Sequence, residues 1–268
     1  MKFSLGPTWL VTVAGLALAG TALHGLEAPL WSRVRARQPA LRLDSRWAAA
    51  GQGLLLGVLG GFRTAAADLA WLRMAHAWEE QDGVATDAWL RCASILDPAV
   101  LGFWINGARI LAYDVPEWRL AAAGGPGAVP AAARARLYQG QARSALRRLA
   151  EAREFHRDSA ALWIEQANLE LNRLGDVRAA AASYRRAAEQ PRAPYYAARL
   201  HGELLRRLGE KPRALAWLVQ LHPRLPAHVE SAGAALVLAR IRTLERELAV
   251  PAARAYRAPA AEPAPPGR

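Results

Sequence analysis

LNRLGDVRAAAASYRRAAEQP, residues 171–191, is matched 34 residues later by LRRLGEKPRALAWLVQLHP, residues 205–223. Each segment has a Leu-Gly pair, a small residue five positions after the Gly, a large apolar residue nine positions after it, and a Pro at its end. The matched positions are Gly175, Ala180 and Tyr184 in the first segment and Gly209, Ala214 and Leu218 in the second. A pattern that recurs at fixed spacing indicates a repeated structural unit.

A third copy of the pattern starts at Gly83, with Ala88 five residues later and Pro98 at its end. Each residue type suits one part of a helical hairpin. Gly accommodates the positive φ of a tight turn between two helices, and Pro cannot continue a helix. The small Ala lets two helices approach closely, and the large apolar residue fills the groove beside them. The three copies therefore predict consecutive pairs of helices.

With this period and pattern, the chain resembles tetratricopeptide repeat (TPR) proteins over residues 64–223. The resemblance implies an all-α solenoid of helical hairpins in which the first helix of each hairpin lines a concave binding face. We expect the repeat array over residues 64–228, a capping helix over 229–249 and a disordered Pro/Ala-rich tail over 250–268.

One unit of this array carries an insertion. Its first helix is expected over residues 99–115 and its second, unusually long helix over 131–155. The segment between them, 121–130, is rich in Gly and Pro and is predicted to be a loop.

Residues 1–30 have the pattern of a membrane anchor. No charged residue occurs between Lys2 and Glu27, and about 20 apolar residues in a helix span the hydrocarbon core of a bilayer. We expect a single transmembrane helix here, with a cleavable signal peptide ending near Ala19 and a buried core helix as alternatives. Residues 31–63 form a basic spacer. Its apolar part, 47–62, is expected to lie on the membrane or to pack as the first helix of the folded part, and a second span is less favoured.

The side of the membrane on which the array lies is open, because two arguments conflict. Five arginines follow the apolar run, and the positive-inside rule would place them in the cytoplasm. They are Arg33, Arg35, Arg37, Arg42 and Arg46. A signal-anchor oriented by Lys2 would place the array on the opposite side. The sequence thus predicts a single-pass membrane protein and leaves its sidedness undecided.

A second resemblance concerns the segment LGGFRTAAADLAWLRMAHAWEEQ, residues 59–81. It is similar to a segment of bacterial membrane-anchored TPR proteins in which a Gly-Phe…Ala-Asp-Leu-x-Trp-Leu helix opens the array. The matching residues are Gly61, Phe62, Ala67, Asp68, Leu69, Trp71 and Leu72. The resemblance implies an envelope-associated scaffold in a bacterial inner membrane and no particular activity. By its amphipathic pattern, we expect Trp71, Leu72 and Trp78 to pack inward.

The sequence carries no catalytic or cofactor pattern. None of the histidines has the spacing of a zinc-protease helix, and there is no phosphate-binding loop or nucleophile elbow. The single cysteine, Cys92, falls at an apolar position and is interpreted as a core residue. We therefore expect a protein that is not an enzyme and that binds no cofactor or metal.

The formal net charge is +12, carried almost entirely by arginine. Arg199 and Arg206 lie seven residues apart on a predicted first helix and could pair with carboxylates of an acidic peptide. Asn168, on the preceding first helix, is a further candidate for partner binding. The alternative is that neighbouring glutamates, including Glu203, already pair with these arginines.

The predicted function is that of a membrane-tethered, non-catalytic scaffold for protein–protein interaction. As an alternative, the basic helices could bind an anionic polymer, either nucleic acid or an anionic membrane surface. Nucleic acid is the less favoured ligand, because stacking aromatics are not interleaved with the arginines.

Overall fold

The computed structural model describes residues 63–226 and 229–259. Within these ranges every regular element is a helix and no strand occurs, so the all-α prediction is confirmed there. No helix in the described part of the chain combines the length and apolar character that a bilayer crossing requires. The predictions for the anchor at 1–30 and for most of the spacer at 31–63 fall outside the described residues.

Ten α-helices follow one another along the described chain. They are α1 (Arg63–Glu79), α2 (Gly83–Leu96), α3 (Leu101–Arg109), α4 (Val115–Ala122), α5 (Ala131–Phe155), α6 (Ala160–Asn172), α7 (Val177–Ala188), α8 (Tyr195–Arg207), α9 (Lys211–Leu221) and α10 (Ala234–Glu247). A π-helical turn over Ile110–Asp114 joins α3 to α4, and short 3-10 turns lie at His222–Arg224, Glu230–Ala232 and Ala252–Arg254. The long helix predicted over 131–155 coincides with α5, and 121–130 is mainly a loop.

By their internal contacts the described residues form two compact units. The first contains residues 63–110 and 150–156, and the second contains 111–149 and the described residues from 157 onward.

The core of the first unit is built largely from small side chains. Ala67, Ala70 and Ala93 are buried where α1 packs against α2, and the small Ala side chains let the two helices approach closely. The ring of Phe103 completes this core and stacks on Trp71, with ring centroids 5.1 Å apart. Asp82 begins α2 by accepting hydrogen bonds from two backbone N–H groups of the first turn.

The Asp97-Pro98 pair is a polar junction within the first unit. A carboxylate oxygen of Asp97 accepts from the Thr64 hydroxyl at 3.1 Å, near the start of α1. The Pro98 carbonyl accepts from Trp104 Nε1 at 3.0 Å and from His156 Nε2 at 2.9 Å. Because a carbonyl only accepts, the Nε2 atom of His156 carries the proton. Burial lowers the pKa of His156.

Two apolar clusters form the core of the second unit. In the first, α6, α7 and α8 meet around Ala180, Tyr184 and Ala197. In the second, α8, α9 and α10 meet around Ala214 and Leu218. Gly175 and Gly209 hold the left-handed conformation, with φ of 67° and 79°, in the turns α6–α7 and α8–α9.

The repeat register predicted from Gly83 is wrong by two residues. Gly83 is the first residue of α2, and the left-handed residue of the α1–α2 turn is Gln81, with φ of 58°. Ala88 is exposed as a consequence. The residues 5, 9 and 12 positions after Gln81 have relative exposures of 0%: Thr86, Leu90 and Ala93. Measured from Gln81, the first hairpin has the spacing of the other two.

The structure also differs from the predictions at the two ends of the described chain. On α1, Leu72 and Trp78 are exposed, at 64% and 43%, although they were expected to pack inward. At the other end, residues 250–259 follow α10 with a defined conformation, where a disordered tail was expected. The backbone N–H of Tyr256 donates to Glu245, and its hydroxyl lies 3.0 Å from His222 Nδ1. We call residues 250–257 the C-terminal strap.

Candidate partner-binding groove

A groove with a volume of 470 Å³ lies between α8 and α10 in the second unit. Its floor is formed by Leu218 of α9 and Val237 of α10, both of which are buried. The groove exists because α8 and α10 both pack against α9, which lies between them in sequence. Hence the floor is apolar and the two walls come from helices that face each other.

Apolar side chains also line the upper walls. Tyr196 and Leu200 project from α8, and Leu236 projects from α10. Tyr196 is 42% exposed and Leu236 is 69% exposed. Large apolar groups of this exposure at the rim of a concave site are typical of a binding surface, because a ligand that covers them removes apolar area from water.

The charged groups of the groove form a cluster around Glu203. One carboxylate oxygen accepts from Arg206 Nε at 3.0 Å, and the other lies 3.3 Å from Arg240 Nε. The hydrogen bond from Arg206 lowers the pKa of Glu203, and it outweighs the opposing effect of burial. The two guanidinium groups exceed the single carboxylate in charge, so the cluster is net positive.

Arg199 lines the groove, but its guanidinium is held by the protein itself. Its Nη1 atom donates to the carbonyls of Ser231 and Ala232, at 3.0 and 2.8 Å. A Cβ atom at Gly233 would lie 2.0 Å from this Nη1, so the backbone passes against the side chain. Arg199 thereby fixes the 3-10 turn that leads into α10.

The three residues predicted to bind a partner are therefore not one open site. Arg206 is paired with Glu203, as the alternative interpretation had it. Asn168 is not one of the groove residues, and its Oδ1 accepts from the Tyr184 hydroxyl at 2.6 Å, which ties α6 to α7. Burial raises the pKa of Tyr184 to about 12, so this hydroxyl stays protonated as a donor. Only Arg199 and, through Glu203, Arg206 belong to the groove.

Sequence reasoning missed the apolar residues on the upper walls of the groove. Tyr196 follows Pro194 at the start of α8, and an exposed aromatic in the first turn of a first helix was an available signal. Leu236 was assigned to the capping helix predicted over 229–249. Its contribution depends on α10 lying beside α8, which no local pattern reveals.

No protein-family model matches this chain, and no curated protein matches it. In residues 63–226 and 229–259, no group of three or more His, Cys, Asp or Glu side chains is placed to hold a metal ion.

Proposed function

We propose that this protein is a non-catalytic, membrane-tethered scaffold of TPR-like helical hairpins that binds a protein partner in the groove between α8 and α10. The observation that carries the proposal is the groove itself, with its apolar floor, its exposed Tyr196 and Leu236, and its net positive cluster. The tether is proposed from the uncharged run over residues 7–26.

The TPR-like interpretation is supported by the geometry of the hairpin turns. Gln81, Gly175 and Gly209 are left-handed, and each lies two or three residues after the end of the first helix of a pair. Five and nine residues after each of them lies a buried residue of the second helix. A shared turn geometry with shared buried offsets is what a repeated hairpin requires.

The chemistry of the groove favours a peptide segment that alternates apolar and acidic residues. Tyr196, Leu200 and Leu236 offer apolar contacts, and Arg240 lies beside them. Arg206 joins this cluster through Glu203, and the two guanidinium groups carry more positive charge than Glu203 neutralises. Carboxylates of the ligand would add to this cluster by charge-assisted hydrogen bonds. The formal net charge of +12 would assist the encounter of an acidic partner.

A photoreactive amino acid at position 236, in the intact chain in its native membrane, tests the proposal. We expect it to cross-link a specific protein, whereas the same amino acid at Val84, which is 78% exposed on α2, should not. Leu236→Glu should weaken recovery of that protein about tenfold or more, since it removes an apolar contact and repels acidic side chains. Val84→Glu is the matched control. Cross-linking that is equal at both positions would contradict the proposal.

One observation favours the second candidate function, binding of an anionic surface. Arg136, Arg143 and Arg147 lie on one exposed stripe of α5. Among the residues the structure describes, no carboxylate lies within ion-pair distance of these three guanidinium groups. Six of the ten arginine side chains on α7 to α10 differ, because each lies within ion-pair distance of a glutamate. A row of unneutralised arginines is suited to phosphate groups.

If this second function is correct, the whole chain, embedded in nanodiscs of neutral lipid, should bind anionic vesicles in a salt-sensitive way. Vesicles containing anionic lipid should bind at low salt and be released at high salt, and Arg136→Glu with Arg143→Glu should abolish the binding. Arg254→Glu with Arg257→Glu makes the same change in charge elsewhere and serves as the control. Binding of an oligonucleotide instead of vesicles would identify nucleic acid as the ligand, and binding of neither would exclude this function.

A further inference from the structure

An exposed apolar ridge runs along α1. Leu69 and Leu72 are 58% and 64% exposed, and His76 is exposed on the same side of the helix. These residues lie 12, 9 and 5 positions before Gln81, the left-handed residue that follows α1. That register allows α1 to be compared with the other first helices, position by position.

In α8 the same three positions are covered by the preceding helix. Counted back from Gly209 they are Ala197, Leu200 and Leu204. Ala197 and Leu204 are buried in the apolar cluster that includes Tyr184 of α7, and Leu200 packs against that cluster. These three positions thus form the surface on which the second helix of the preceding hairpin packs, and we call this surface the seat.

The same comparison holds for α10 at two of the three positions, the middle one being Arg240 of the groove. Its left-handed residue is Ala249, with φ of 49°. Twelve and five positions earlier lie Val237 and Leu244, at 2% and 0% exposure. Both are in the cluster that contains Ala214 and Leu218 of α9, the preceding helix. The ridge on α1 therefore occupies positions on which the preceding helix packs in α8 and α10.

We propose that the occupant of this seat is WAAAGQGLLLGVL, residues 47–59 of the same chain. The segment carries no charge and is followed by only three residues before α1 begins at Arg63. Thirteen residues as a helix would extend about 20 Å, which is comparable with the length of α1. Its Gly and Ala residues would permit the close approach seen between α1 and α2.

The surroundings of the ridge favour a helix over a bilayer as occupant. The exposed Asp68 and Arg73 flank Leu69 and Leu72 on α1, and the side chain of Glu80 lies 3.4 Å from His76. A bilayer broad enough to cover the ridge would also cover these charged groups, at a large desolvation cost. A single helix would cover the apolar ridge and leave them in water.

This inference goes beyond the proposed binding function and does not depend on what the groove binds. If residues 47–59 belong to the array, only residues 27–46 connect it to the uncharged run that we propose as the anchor. The arginine-rich segment then becomes the sole spacer between them.

Disulfide scanning in the full-length, membrane-embedded chain tests the inference. In a Cys92→Ala background, Leu72→Cys is combined in turn with a cysteine at each position from 54 to 58. We expect an intramolecular disulfide at positions three or four residues apart, because only one side of a helix faces α1. Val84→Cys, exposed on α2, is the matched control and should give a yield about tenfold lower with the same partners.

Any other result of the disulfide scan would overturn the inference. Disulfides that join two chains would identify a second copy as the occupant. The bilayer would be identified by a different result: no disulfide at any of the five positions, and protection of the Leu72→Cys thiol from maleimide that is lost when detergent replaces the lipid. No disulfide and free labelling of the same thiol in the membrane would show that nothing covers the ridge.

Discussion

Gly202 and Gly140 both lie inside helices, but their surroundings differ. A Cβ atom at Gly202 in α8 would lie 2.8 Å from Leu218 Cδ2 and 3.3 Å from Trp217 Cδ1. At Gly140 in α5 no atom lies within 4 Å. Alanine gains about 0.5–1 kcal/mol over glycine inside a helix, whereas overpacking costs about 1–3 kcal/mol. We therefore expect Gly202→Ala to destabilise the chain and Gly140→Ala to stabilise it.

Urea unfolding followed by tryptophan fluorescence would measure both changes. The expected changes in free energy of unfolding are a loss of about 1 kcal/mol for Gly202→Ala and a gain of up to about 1 kcal/mol for Gly140→Ala. If the two substitutions changed the free energy in the same direction, the close approach of α9 to Gly202 would be wrong.

The left-handed turn residues allow a second prediction with opposite signs. Gln81 adopts φ of 58°, and Gly209 adopts φ of 79° with no atom near its missing Cβ. A left-handed conformation costs a residue with a Cβ about 1–2 kcal/mol. Gln81→Gly should therefore stabilise the α1–α2 hairpin by about 1 kcal/mol, and Gly209→Ala should destabilise the α8–α9 hairpin by a similar amount. Thermal unfolding of both variants beside the parent chain would show whether the signs differ.

At the scale of elements, the C-terminal strap takes the place that a second helix has after α8. Tyr256 packs against the cluster formed by α9 and α10, donates its backbone N–H to Glu245 and contacts His222 through its hydroxyl. Burial alone would raise the pKa of Glu245. The hydrogen bonds from Tyr256 and Arg242 outweigh burial and hold this pKa below its usual value.

Removing the Tyr256 ring should loosen the end of the array. Because the ring is only partly buried, we expect Tyr256→Ala to cost about 2 kcal/mol and Tyr256→Phe about 1 kcal/mol or less. Arg257→Ala, at an exposed neighbour, should have almost no effect. Chemical unfolding of the three variants would rank them. A cost for Tyr256→Ala that is no larger than that for Arg257→Ala would mean that the strap does not stabilise α10.

The sequence predicted helices and turns correctly where they depend on residues close together in the chain. The spacing around Gly175 and Gly209 identified two hairpins, and the long Ala- and Arg-rich run over 131–155 identified α5. The register of the first hairpin was predicted two residues too late, because Gly83 lies near the turn whereas the left-handed residue is Gln81. Asp82, which caps α2 as Asp176 caps α7, was the better marker of that turn.

The candidate site was harder to predict, because its residues act through partners distant in sequence. Arg199 was expected to meet a ligand, but two backbone carbonyls more than 30 residues away accept its hydrogen bonds. The strap resembles a disordered segment in composition, and it is held mainly by Tyr256. A single long-range anchor of this kind leaves no periodic signal in the sequence.

At the scale of the whole molecule, three histidines make stability dependent on pH. Burial lowers the pKa of His156, His201 and His222 from the ordinary value of 6.5. The unfolded chain then takes up protons first as the pH falls. The stability that these groups contribute is present above pH 6.5 and is lost as the pH drops below it. Glu203, Glu210 and Glu245 have lowered pKa values, so a further loss follows below their ordinary value of 4.5.

His201→Asn tests the first of these two losses. The Nδ1–H of His201 donates to the Ala181 carbonyl at 2.7 Å, and an Asn amide can replace this donor without titrating. We expect the unfolding midpoint of the variant to fall less between pH 7 and 5 than that of the parent chain. Adding His222→Asn should flatten the dependence further. An unchanged slope in the double variant would show that these histidines do not drive the loss.

An array and a single cooperative bundle differ in how far the loss of one buried side chain spreads along the chain. In the described part of the chain, α7 packs against α8, α8 against α9 and α9 against α10. Ile241 of α10 and Leu90 of α2 are both fully buried, in separate cores. Replacing either by Ala should cost about 2–5 kcal/mol locally. In a nearest-neighbour array, that loss appears as faster amide exchange in the hairpin concerned and fades along the chain.

Hydrogen–deuterium exchange read by mass spectrometry would locate the loss for each variant. Ile241→Ala should reduce the protection of α9, α10 and the strap and leave α1 and α2 unchanged, and Leu90→Ala should do the reverse. The two variants serve as controls for each other. Each removes one fully buried aliphatic side chain, Leu90 from the first unit and Ile241 from the second. If either substitution accelerated exchange equally in all helices, the chain would unfold as one unit. The repeat spacing would then describe only its geometry and would carry no information about how its stability is distributed.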